Sequence, residues 1–67
     1  MDSETRDGIR RRDMINLKDT GSEARVINWI ENRQGVTFFL VRLVDSGHER
    51  FAKRGNLVTR ERLKAAG

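Results

Sequence analysis

Asp45, Ser46 and His48 lie within the four residues DSGH, and those three side-chain types together are the constituents of nucleophilic hydrolysis. That chemistry requires a base within hydrogen-bond reach of the serine hydroxyl and an acid orienting the base, the members converging from separate elements. Residues of one tight turn do not converge in that way, and Asp-Ser-Gly is a turn former. His48 is the only histidine and there is no cysteine, so a thiolate metal site and a disulfide are both excluded. No Gly-rich phosphate loop occurs, and the carboxylates are scattered among Arg and Lys, where ion pairing is the default. The chain is expected not to be an enzyme, and to carry neither a cofactor nor a metal.

The remaining chemistry is recognition. The 67 residues hold 14 basic and 10 acidic side chains, a net charge of +4. Charges cancel over residues 1–13 and again over 14–47. The whole excess lies in residues 48–67, where Arg50, Lys53, Arg54, Arg60, Arg62 and Lys64 face only Glu49 and Glu61. A basic face of this kind attracts anions, nucleic acid first. The aromatic residues are Trp29, Phe38, Phe39 and Phe51, with no tyrosine. Aromatics beside cations supply stacking surfaces for bases. The expected nucleic-acid-binding residues are therefore Arg50, Lys53, Arg54, Arg60 and Arg62 on phosphates, with Trp29 and Phe38 on bases. The alternative is a protein-interaction module or small subunit that docks on a partner, or on a second copy, through an apolar patch of Trp29, Phe38 and Leu40 with a basic rim.

These residues must be placed by a small fold. A chain of this length is one domain and buries about 60% of its unfolded surface. Residues 1–12, MDSETRDGIRRR, carry Ile9 as the one large apolar residue after Met1, which implies a disordered tail before a single domain over 13–67. No apolar run approaches the ~18 residues that span a membrane, and no apolar leader is visible, so a soluble cytoplasmic protein is expected.

From residue 13 onward short strands alternate with turns. DMINL (13–17), EARVINWIE (23–31), VTFFLVRLV (36–44) and HERFAKR (48–54) read as strands, separated by KDTGS, NRQG and DSG. GNL (55–57) is a break suited to one turn of 3₁₀ helix. VTRERLKAAG (58–67) is compatible with a last strand through Leu63 or with a short C-terminal helix capped by Thr59. The run FFLVRLV has one uninterrupted apolar set, Phe39, Val41 and Leu43, and one interrupted by Arg42, namely Phe38, Leu40 and Val44. The first set is expected inward and the second outward. In EARVINWIE neither alternate set is cleanly polar. Val26 and Ile30 are assigned inward, which leaves Trp29 outside beside Phe38 or Leu40; the alternative is that Trp29 is simply part of the core, since tryptophan is usually largely buried.

The stretches ARVINW, FFLVRL, VDSGHERFAKR and GNL resemble the SH3-like small barrels of the Tudor, agenet and KOW type, over roughly residues 14–63. The resemblance implies an all-β, five-stranded SH3-like barrel. KOW-type barrels bind nucleic acid or the transcription and translation machinery, which suits the basic C-terminal end. The aromatic cage that Tudor domains use for methylated side chains is not carried over, since there is no Tyr and Phe39 is expected in the core. FFLVRLVDSGHERFAKRGNL is also similar to a stretch of the OB-fold of bacterial translation initiation factor one. An OB barrel needs two further strands after that stretch, and only about a dozen residues follow it.

Overall fold

The computed structural model describes residues 5–59, and these are all-β apart from one turn of 3₁₀ helix. The strands are β1 (Thr5–Arg6), β2 (Ile9–Arg10), β3 (Met14–Leu17), β4 (Glu23–Glu31), β5 (Thr37–Leu43), β6 (Glu49–Lys53) and β7 (Leu57–Thr59), with the 3₁₀ turn at Arg54–Asn56. β3 to β7 form one antiparallel sheet in the order β6-β5-β4-β3-β7, and β1 pairs with β2. Its two outer strands, β6 and β7, do not pair with each other among the described residues, so no closed barrel is formed there. The strands β3 to β6 and the DSG turn fall where the alternation and turn residues put them, and the 3₁₀ turn begins one residue before GNL. Residues 60–67, and with them the choice between strand and helix, lie outside the described residues.

The core consists of Ile9, Ile15, Leu17, Ala24, Val26, Phe39, Val41, Ala52 and Leu57. β5 contributes Phe39 and Val41, as its uninterrupted apolar set requires. Burying a side chain of this size contributes about 1.5–3 kcal/mol, so these few residues carry most of the apolar stabilisation.

Two expectations are overturned. The first is the disordered tail. Residues 5–10 form a two-residue hairpin, with Arg6 opposite Ile9 and Asp7-Gly8 at the tip. Both tip residues have positive φ, 53° and 80°, the geometry of a type I′ turn. Gly8 adopts it without steric cost and Asp7 with little. Ile9 then enters the core with none of its surface exposed. The hairpin is also bonded to its surroundings. Arg6 pairs with Glu31 at 2.9 Å, and the Arg54 Nε donates to the Asp7 carbonyl at 3.0 Å. Composition alone undervalued this segment, because one well-placed isoleucine and a D-G turn suffice to order it.

The second concerns β4. Its pairing with β5 runs Ala24–Leu43, Arg25–Arg42, Val26–Val41, and then slips to Asn28–Leu40, Trp29–Phe39 and Ile30–Phe38. Ile27 is the extra residue of a β-bulge. One inserted residue exchanges the two faces of everything beyond it. Trp29 therefore turns to the core side and Ile30 to solvent, the reverse of the assignment made from alternation. At the bulge, Val26 bonds sideways to the chain after β2. Its N–H donates to the Asp13 carbonyl at 2.9 Å, and its carbonyl accepts from the Arg12 N–H at 2.7 Å.

Candidate docking face

The solvent side of β4, β5 and β6 is set by the registers of the two ladders. Three cross-strand rows face outward: Ile30–Phe38–Lys53, Asn28–Leu40–Phe51 and Arg25–Arg42–Glu49. The first two rows hold a contiguous apolar group. Ile30 is 53% exposed and Phe51 50% exposed, while Phe38 and Leu40 between them are half-buried. The second face of the run FFLVRLV is thus part of an open sheet surface.

Charge surrounds this group unevenly. The Lys53 ammonium lies 5.9 Å from the centroid of the Phe38 ring, a cation–π contact at the border of the apolar group. It has no carboxylate partner among the described residues. At the other border Arg25 and Arg42 are directly opposite, a like-charge pair that costs stability unless compensated. Glu49 compensates Arg42, with an oxygen 2.7 Å from a guanidinium nitrogen. Arg25 instead donates its Nε to the Met14 sulfur at 3.3 Å.

The residues expected to bind nucleic acid do not converge on this face. Phe38 and Lys53 are there, side by side. Trp29 is on the other side of the sheet, edge-on to Phe39, with the Arg11 guanidinium 4.4 Å over its ring. Arg50 shares a row with Val26 and Val41 and pairs with Asp19 at 3.1 Å. Arg54 is spent on the backbone, donating to the Asp7 carbonyl and, at 2.8 Å, to the Leu57 carbonyl. Arg60 and Arg62 lie outside the described residues. Of the patch Trp29, Phe38 and Leu40, the last two are on the outer face and Trp29 is not. Ile30 and Phe51 complete it in its place. Phe51 was not assigned to the patch, although the charged Glu49 and Lys53 two residues to either side share its face of β6, and Ile30 was concealed by the bulge.

Asp19 links three elements. Its N–H donates to the Asn56 side-chain oxygen at 2.9 Å and its carboxylate accepts from Arg50. Its carboxyl is held below the ordinary value, first by a hydrogen bond with the Asn56 side chain and then by the Arg50 guanidinium. The bonds join the β3–β4 turn to β6 and to the 3₁₀ turn. They are structural ties, and the one to β6 is made through Arg50, which adjoins Phe51 on that strand but lies in the core-side row of Val26 and Val41.

DSGH forms the expected turn, the His48 N–H donating to the Ser46 hydroxyl oxygen at 3.2 Å and the Gly47 N–H to the Leu43 carbonyl at 2.8 Å. Among the described residues no group of three or more His, Cys, Asp or Glu is placed to hold a metal ion. No helix among them is long and apolar enough to cross a membrane. Comparison of the chain with family models, curated proteins and solved structures found no match.

Proposed function

We propose that this protein is a small docking module of SH3-like build that holds a protein partner on the outer face of β4, β5 and β6. The SH3-like reading is supported by the strand order, in which β3 lies between β4 and β7, and by the 3₁₀ turn directly before β7. The observation that carries the functional reading is the contiguous group Ile30, Phe38, Leu40 and Phe51 on the solvent side of the sheet. An apolar centre with a charged border is the composition of a protein–protein contact surface. The test is selection of binding peptides from a random library, followed by mapping of backbone amide shifts. Binders should perturb Ile30, Phe38, Leu40 and Phe51 and lose affinity on Phe51→Ser. Binders that perturb only the Trp29 side overturn the reading.

A nucleic-acid partner is the second reading, favoured by Lys53 over the Phe38 ring and by the basic excess in residues 48–67. It requires the outer face to stack bases while cations hold phosphates. Titration with single-stranded DNA and RNA at several salt concentrations tests it, since each phosphate contact steepens the salt dependence of log affinity by about 0.7.

A further inference from the structure

The charges around the outer face define the chemistry of the partner, given that the docking reading holds. Lys53 stands at one border with no carboxylate partner among the described residues, its ammonium over the Phe38 ring. At the other border Arg25 and Arg42 stand opposite each other, and Glu49 compensates only Arg42. Between these cations lie Ile30, Phe38, Leu40 and Phe51. We infer that this face takes an acidic, amphipathic segment of another protein, with apolar side chains on Ile30, Leu40 and Phe51 and carboxylates on Lys53 and Arg25.

A second copy of the chain is a poorer occupant. In a two-fold dimer the same patch meets itself, which brings two sets of these cations into one interface on a chain of net charge +4. A nucleic acid is also a poorer occupant. The centre of the face includes the aliphatic side chains Ile30 and Leu40, which offer no stacking, and Arg50 and Arg54 are bonded within the molecule away from it. Carboxylates on flexible side chains meet isolated cations without a phosphate backbone, and an apolar stripe covers what the sheet leaves open.

The experiment uses two synthetic peptides with the same leucine pattern, one flanked by glutamates and one by lysines, titrated into the full-length chain. Calorimetry gives affinity and amide shifts give the site. The glutamate peptide should bind about tenfold or more tightly than the lysine peptide, with shifts at Ile30, Phe38, Leu40 and Phe51. Lys53→Glu should reduce or reverse that preference, and Phe51→Ser should remove binding of both. Equal affinity, or preference for the lysine peptide, overturns the acidic partner while leaving the face as a docking surface. Absence of binding by either peptide, or shifts confined to other residues, overturns the partner class and the docking reading together. Displacement of the glutamate peptide by oligouridylate from the same residues assigns the face to nucleic acid instead.

Discussion

Trp29 meets Phe39 edge to face, ring centroids 5.8 Å apart and planes at 62°, although simple alternation along β4 puts the two on opposite sides of the sheet. The bulge at Ile27 reconciles the two facts. It rotates the end of β4 by one residue, so that Trp29 closes the core beside Phe39 and Ile30 joins the outer apolar group. Removing Ile27 should leave Asn28, Trp29 and Ile30 opposite Leu40, Phe39 and Phe38 in regular alternation, with Trp29 still on the core side. Trp29 is the sole tryptophan, so its fluorescence reports on this directly. An unshifted emission maximum in the deletion variant, with the fold retained, is the expected outcome; a red-shifted maximum in a folded variant contradicts the role given to the bulge.

The N-terminal hairpin should be required for stability. Ile9→Ala should cost about 2–5 kcal/mol, the range for deleting a buried aliphatic side chain. Truncation of residues 1–11 should lower the denaturation midpoint further, because it also removes the partners of Glu31 and of Arg54. Chemical denaturation of both variants checks this. A truncated chain as stable as the full one returns the segment to the status of a dispensable tail.

The two faces of β5 should respond differently to truncation. Val41 is fully buried, and Val41→Ala should destabilise by about 1–3 kcal/mol. Leu40 is half-buried against solvent and Leu40→Ala should cost clearly less. Comparison of urea midpoints decides it, and the reverse order contradicts the registers described.

Acid should loosen the ties at the β3–β4 turn. The Asp19 carboxyl is lowered from its ordinary 3.8, so the charged form is favoured in the folded state. Its contribution is fully present above pH 3.8 and is lost as pH falls through the lowered folded value. Asp19→Asn should therefore flatten the acid limb of the stability profile below that value and leave the slope at neutral pH unchanged. Denaturation curves for both proteins across the acid range measure the difference. Because Asp19 is exposed, the effect should be small.

Much of this architecture is legible in the residues. The strands of the main sheet, their Gly-containing turns and the inward Phe39 and Val41 follow from alternation and turn chemistry. The failures have specific causes. Apolar periodicity in EARVINWIE changes phase between Val26 and Trp29, which is the mark of a bulge, but a fixed period of two averages over it. Asp7-Gly8 is a strong hairpin signal, yet among Arg and Asp neighbours the segment looks too polar to fold. Arg50 and Arg54 could not be withdrawn from the phosphate-binding set without knowing that Asp19 and the Asp7 carbonyl lie beside them. The outer location of Phe38 and Leu40 was legible, and half of the proposed docking face with it.

The central claim is that the outer face of β4, β5 and β6 serves binding while the inner face serves stability. The measurement that tests it most directly is Phe51→Ser in the full-length chain, read for both stability and affinity toward the glutamate-flanked peptide. Phe51 is half exposed, so the urea midpoint should change by no more than ~1 kcal/mol equivalent while affinity falls by about tenfold or more. A variant that binds as the parent does, or that unfolds, contradicts the account.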